Sequence, residues 1–190
     1  MPIVAELAVS HPQVQLLIHE HEPAEMSALL GTDEIDLALT YDYDLAPIAF
    51  DATVEATRLW SVAWSLGAPQ QPQPHVAGNA LAVFQRFRDH DWIVNSRNTA
   101  DEDVVLTVAS MVGFEPRIVH RADSLELVED VILAGGGVAL MPADRVTSPG
   151  IDLLPLTEPD VRLRSYAVTR RGRADWPLLA LVLKLLTTGR

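Results

Sequence analysis

Ser124-Leu125-Glu126-Leu127-Val128-Glu129-Asp130-Val131-Ile132-Leu133-Ala134-Gly135-Gly136-Gly137-Val138-Ala139-Leu140-Met141-Pro142 is the stretch whose reading decides the fold. Leu125, Val128, Ile132 and Leu133 recur at three- and four-residue spacing, which makes one buried face of a helix. Ser124 can cap that helix, and Glu126 stands in the first turn, where the helix dipole favours negative charge. The glycines end it, because the residue past the last turn takes positive φ and only glycine does so without strain. Val138-Ala139-Leu140-Met141 then reads as a short buried strand, closed by Pro142. Helix, tight glycine turn and buried strand make an αβ connection that also suits the wall of a ligand cleft.

The same alternation extends in both directions. Toward the N-terminus, Arg117–His120 reads as a strand, Asp101–Val112 as a helix ended by Gly113, Trp92–Val94 as a strand and Ala80–Phe87 as a short helix. Gly67–Pro74 is a polar, proline-rich loop, and Leu59–Leu66 a strand in which Trp60 and Trp64 read as core anchors. Asp42–Glu55 is acidic and irregular, a surface loop. Before it, the segment Met1–Ser10 is a helix stopped by Pro12. Val14–His19 is a strand by its aliphatic content, Pro23–Leu30 a helix, and Ile35–Thr40 a strand. That order predicts a βαβ unit and a parallel sheet. Toward the C-terminus, Ile151–Leu156 and Arg162–Thr169 are strands, and Trp176–Leu186 is a closing helix with Pro177 in its first turn.

Composition narrows the function. The 190 residues are 48% hydrophobic and 21% charged, a globular balance able to bury a real core. A formal net charge of −12 argues against nucleic-acid binding by this chain, since phosphate contacts need clustered Lys and Arg. Charge is unevenly placed: no Lys or Arg precedes Arg58, whereas Arg162, Arg164, Arg170, Arg171 and Arg173 crowd one late segment. These arginines read as a solvated face, or as a surface meeting the acidic first third of a neighbouring subunit. Cysteine is absent, which excludes disulfides, thiol catalysis and Cys-ligated zinc. With no signal-peptide pattern and no membrane-length apolar run, a cytoplasmic protein without membrane contact is expected.

Among candidate sites, Asn95-Ser96-Arg97-Asn98-Thr99 lies between a buried strand and a helix. Hydroxyls and backbone N–H groups there can form an anion site, and Arg97 can fork a carboxylate. The plainer reading is a helix cap beside a solvated arginine. Thr40 and Tyr41 end a strand and are candidates for the same cleft, with a simple turn as the alternative. Gly137 and Val138 would contribute by letting backbone approach. Ser124 reads first as a cap and second as a ligand donor. His19-Glu20-His21-Glu22 offers two histidines on one strand face, an incomplete metal site, so no metal is assigned. No Gly-x-Ser-x-Gly elbow, P-loop or dinucleotide fingerprint is present, so no cofactor is assigned and an enzyme is not expected.

The residues also carry a family likeness. His11-Pro12-Gln13-Val14-Gln15-Leu16 with Gly31-Thr32-Asp33-Glu34-Ile35-Asp36-Leu37-Ala38-Leu39 resembles the opening of LysR-type transcriptional regulator effector-binding domains. Val131–Pro142 is similar to the same family's V-x-x-G-x-G-V-A-L-x-P segment. Leu59–Val62 and Tyr166–Arg171 stand in matching order. The resemblance implies an α/β fold of the type 2 periplasmic-binding-protein kind, two α/β lobes with a cleft between them. Lobe one would be residues 1–58 plus 160–190 and lobe two 59–159, with hinges near Thr57–Leu59 and Pro159–Leu163. It further implies a small-molecule effector, here with an anionic group suggested by Arg97, and a homodimer or higher oligomer. DNA would be contacted only through a helix-turn-helix domain outside this chain. It also implies that the domain's first strand lies before Met1. A transporter's solute-binding protein is the competing reading, and an enzyme on the same fold, such as a dehydratase, a third.

Overall fold

The computed structural model describes residues 2–21, 23–71, 78–96 and 99–188. The chain forms two compact units: unit 1 is Met1–Tyr41, Ile48–Trp60 and Ser165–Arg190, and unit 2 is Asp42–Pro47 and Ser61–Arg164.

In unit 2 the sequence pattern becomes a sheet covered on both faces. β3 (Asp91–Val94) lies between β4 (Arg117–Arg121) and β5 (Val138–Pro142), parallel to both. β5 pairs antiparallel with the later part of β2 (Val54–Pro69), and β6 (Ile151–Pro155) adds to β2. α4 (Ala100–Met111) connects β3 to β4, and α5 (Leu125–Leu133) connects β4 to β5. Successive strand residues face opposite sides, so a sheet buried on both faces reads as continuous apolar runs. Trp92, Val94, Val138 and Leu140 pack with α4 and with α3 (Ala80–Arg86), where the Phe84 ring centroid lies 4.8 Å from that of Trp92. Ile93, Ala139 and Met141 pack on the other side with Val128 and Ile132 of α5. Each such fully buried aliphatic side chain contributes about 1.5–3 kcal/mol.

The glycine turn after α5 does what the sequence requires. Gly135 has φ +78° and Gly137 φ +144°. A Cβ on Gly137 would collide with the backbone carbonyl of Asp91, so β5 can start beside β3 only with glycine there.

Unit 1 departs further from expectation. α1 (Pro2–Ser10) packs on α6 (Pro177–Thr188) through Ile3, Leu7 and Val182. α2 (Pro23–Gly31) sets Leu30 against Val54 of β2 and Val168 of β7 (Arg162–Arg170). Val14–His19, however, is not a strand, so the predicted βαβ unit does not form. Strand structure needs a neighbouring ladder, and aliphatic content alone does not supply one. Leu16 turns inward to the α1–α6 cluster, while Leu17 and Ile18 are 77% and 64% exposed.

β1 (Ala38–Tyr43) begins three residues later than predicted, because Glu34 and Ile35 still bond back to the Leu29 carbonyl at the end of α2. It also runs on into the presumed acidic loop, where Asp42 and Tyr43 are buried. β2 starts at Val54 and keeps Gly67–Pro69, which the sequence assigned to loops. Of the rest of that proline-rich loop, Gln70 and Gln71 follow the strand and 72–74 lie outside the described residues. Trp60 is 42% exposed and anchors no core, whereas Trp64 packs edge-on against Tyr43 at 5.3 Å.

The late arginines do meet the acidic first third, but within their own chain. Arg170 and Arg173 reach Asp33 at 2.7 and 3.1 Å, and Arg171 lies 3.6 Å from Glu55. Arg164 pairs with Asp42 at 2.8 Å.

Candidate functional site

Among the described residues, the carboxyl edge of the parallel strands in unit 2 gathers Asn95, Ser96, Thr99 and Ser124 of the predicted polar residues. β3 ends at Val94, whose carbonyl accepts a hydrogen bond from the Ala122 N–H at 3.0 Å. That bond sets Asn95 and Ser96, leaving β3, beside Asp123 and Ser124, leaving β4. Asn95 is half-buried and Ser96 exposed. Arg97 and Asn98 lie outside the described residues. Thr99 caps α4 with its backbone, accepting from Asp103 N–H at 2.7 Å, and its side chain makes no capping bond. Open sheets of this kind collect ligands at this edge.

Ser124 is a working cap. Its Oγ accepts from Leu127 N–H at 3.3 Å and donates to Glu126 Oε2 at 2.8 Å. A serine has one proton to give, and here Glu126 holds it. Gly137 and Val138 do not join this group. Val138 pairs with Trp92 and Gly137 abuts Asp91, so both sit at the amino edge of β3, the opposite end from Asn95. Val138 is fully buried in the core. Thr40 and Tyr41 belong to unit 1, where the Thr40 carbonyl accepts a long bond of 3.5 Å from Ser165 Oγ. His19 and His21 are exposed with ring centroids 6.0 Å apart, and His21 Nδ1 lies 3.4 Å from Glu25. Glu22 is outside the described residues.

Two acids at the carboxyl edge, Asp101 and Glu102, were not singled out from the sequence. Asp101, in the first turn of α4, is pushed up to about 6 by burial, with Asp123 raising it further and a hydrogen bond from the buried Tyr43 hydroxyl opposing. The signal for its burial was present: Asp101, Val104, Val105 and Val108 fall on one helical stripe, and the three valines are fully buried. Next to it, Glu102 is held low by Arg121 at 2.5 Å.

Glu129 shows the same kind of concealment on α5. It is 5% exposed on the stripe of Val128 and Ile132. Its Oε2 accepts from Ser148 Oγ at 2.6 Å and Ser148 N–H at 3.0 Å, and its Oε1 from Arg145 Nε at 2.6 Å. Those bonds from Ser148 and Arg145 hold its carboxyl below the usual range. Arg145 also reaches Glu126 at 3.1 Å. Glu126, bonded first by Ser124 and then by its own backbone and Arg145, falls to about 2.

Residues 1–189 match the family described as the LysR substrate binding domain. The chain belongs to that family. A curated relative, the HTH-type transcriptional regulator CysB of Haemophilus influenzae, is 24% identical over 152 residues, covering 80% of this chain and 45% of CysB. The chain thus spans about half the length of that relative. Among solved structures, the C-terminal domain of a probable LysR family regulator from Rhodococcus sp. RHA1 superposes with a TM-score of 0.79 at 16% identity, over 98% of this chain and 91% of that one. The BenM effector binding domain with its effector benzoate gives 0.73 at 16% identity, over 97% and 84%. The expected α/β architecture of LysR substrate-binding domains is therefore correct. Among the described residues, no helix is long and apolar enough to cross a membrane.

Proposed function

We propose that this chain is the effector-sensing part of a LysR-type transcriptional regulator and acts in the cytoplasm. The effector, a small organic molecule with an anionic group, binds at the carboxyl edge of β3 and β4. The family match over residues 1–189, joined to the polar loop that leaves β3 at this edge, is the observation that supports the reading. Asn95, Ser96, Arg97, Asn98 and Thr99 hold the anion, with Ser124 beside them; Thr40 and Tyr41, in unit 1, are the further ligand-binding candidates. Gly137 and Val138 are left out because they occupy the other end of the strands. The domain works as a homodimer or higher oligomer, catalyses nothing, and reaches DNA only through a separate helix-turn-helix domain. Differential affinity of the effector for two arrangements of the protein carries the signal.

Calorimetric titration with benzoate and a panel of other small carboxylates tests this directly. Binding by the wild-type chain that weakens about tenfold or more in Arg97→Ala and Asn95→Ala supports it, a tenfold loss being the 1.4 kcal/mol expected of one charge-assisted hydrogen bond. Unchanged affinity in both variants rejects the site. A solute-binding protein of a transporter remains the alternative, and the regulator names of the relatives favour the first reading.

A further inference from the structure

Ser124 stands at the carboxyl edge with its only proton already committed. Its Oγ donates to Glu126 Oε2 at 2.8 Å and accepts the Leu127 N–H at 3.3 Å. A hydroxyl has one proton and two lone pairs, so one lone pair is left. Among the described residues no further donor reaches it, and Ser124 is exposed. Glu126 is not a simple capping partner. It is the second residue of α5, one short of the position from which a carboxylate returns a bond to the cap's N–H. Bonded by Ser124, by its own N–H and by Arg145, its carboxyl is held down to about 2 and is charged at every ordinary pH. Arg145 Nη2 lies 3.1 Å from Glu126 Oε1, and the guanidinium is fixed from the interior. Its Nε reaches Oε1 of the buried Glu129 at 2.6 Å, and the other Glu129 oxygen takes the Ser148 N–H and hydroxyl. The bonds Ser148–Glu129–Arg145–Glu126–Ser124 therefore run from the loop before β6, across α5, to the carboxyl edge.

We propose that Glu126 and Arg145 are positioning residues that make Ser124 a hydrogen-bond acceptor toward the effector, which therefore carries a hydrogen-bond donor, such as a hydroxyl, beside its anionic group. The inference rests on the effector site proposed above and adds the chemistry of its ligand. A serine that can only accept selects for donors. A ligand hydroxyl satisfies the open lone pair, a bare C–H leaves it unpaired, and an ether oxygen in the same place sets lone pair against lone pair. Charge points the same way. Ser124 touches the Glu126 carboxylate and follows Asp123, whose charge is near enough to raise the Asp101 carboxyl. An anion is repelled there, so the effector's anionic group lies toward Asn95 and Ser96 and its donor toward Ser124.

Calorimetric titration with matched trios of carboxylates tests this, each trio a parent, its hydroxy and its methoxy derivative. The trios are benzoate substituted at the meta or para position and phenylacetate substituted beside the carboxylate. In the wild type, the hydroxy member of at least one trio binds about fivefold or more tighter than both others, the worth of one neutral hydrogen bond. Ser124→Ala abolishes its advantage over the parent. Glu126→Ala returns the proton to Ser124, which then donates, and the hydroxy-over-methoxy ratio falls to about twofold or less. Arg145→Gln lowers that ratio partway, and Glu126→Ala decides the matter if Arg145→Gln does not fold. A Glu126→Ala chain that binds all three members more weakly at an unchanged ratio overturns the proposal, since Glu126 would then serve only stability. Equal affinity for the hydroxy and methoxy members of every trio in the wild type overturns it as well, with the effector site intact. If no member of any trio binds, the effector site itself falls, and this ligand chemistry with it. Carboxyl-carbon NMR checks the proton's place without any ligand: Ser124→Ala raises the Glu126 titration, and an unchanged titration overturns the proposal.

Discussion

Replacing Glu129 with alanine should strongly destabilise the protein, although it removes a charged residue from a helix. The carboxylate receives three hydrogen bonds, two from Ser148 and one from Arg145, inside a site only 5% exposed. Bonds to a charged group contribute about 1.5–3 kcal/mol each, and a buried donor left unpaired costs about 1–3 kcal/mol. Arg145 softens the loss, because its side chain is 24% exposed and it keeps Glu126 at 3.1 Å. Ser148 N–H has no such recourse. Removing one partner of a buried pair costs about 3–5 kcal/mol in all, and the partial exposure of Arg145 puts this case at about 3–4 kcal/mol. For a chain of this size that lowers the thermal midpoint by about 6–16 °C, at about 2–4 °C per kcal/mol. Circular dichroism or scanning calorimetry reads it. The stabilisation also has a pH signature. A carboxyl held below its ordinary value contributes above that value, and the contribution disappears as pH falls through the folded-state pKa. Glu129→Ala should therefore lose less, relative to wild type, in acid than at neutral pH. A midpoint within 2 °C of wild type at neutral pH would refute the reasoning, the expected drop being about 6 °C or more.

Glu126→Ala should shift the midpoint far less than Glu129→Ala although its carboxyl too is held low, because its side chain is 78% exposed and solvent screens its pair with Arg145. Gly137→Ala should destabilise by about 2 kcal/mol or more, since the φ of +144° is strained for alanine and its Cβ meets the Asp91 backbone; urea unfolding measures it. Asp101 runs opposite to Glu129. Its carboxyl keeps a proton in the folded chain up to about 6, against an ordinary 3.8, so wild-type stability should decline as pH rises through that window. Asp101→Asn should flatten the decline, and a parallel pH profile for the two proteins would count against it.

Where side-chain period and burial coincide, the fold was legible. In unit 2 the runs at Trp92–Val94 and Val138–Leu140, the valine stripe of α4 and the Ser124 cap all declared themselves, because strands covered on both faces have no polar positions to blur the pattern. Unit 1 was less legible for the complementary reason. Val14–His19 has strand composition without a strand's partner, and pairing is a property of distant residues. The half-buried Asp101 and the buried Glu129 escaped notice because they look like ordinary helix-surface residues until their neighbours at three and four positions are counted. Asp42 escaped because its partner, Arg164, lies more than a hundred positions away, beyond any local pattern. Of the candidate site, the loop after β3 and the cap before α5 were placed together, whereas Gly137 and Val138 were grouped with them by motif rather than by strand direction.

The effector-binding reading meets its most direct test in backbone amide NMR of the chain during titration with benzoate and the other small carboxylates. Shifts that saturate and concentrate at 95–101 and 122–125 are the predicted result. Saturable shifts concentrated at the amino edge of β3, around Asp91 and Gly137, or confined to unit 1, would contradict it.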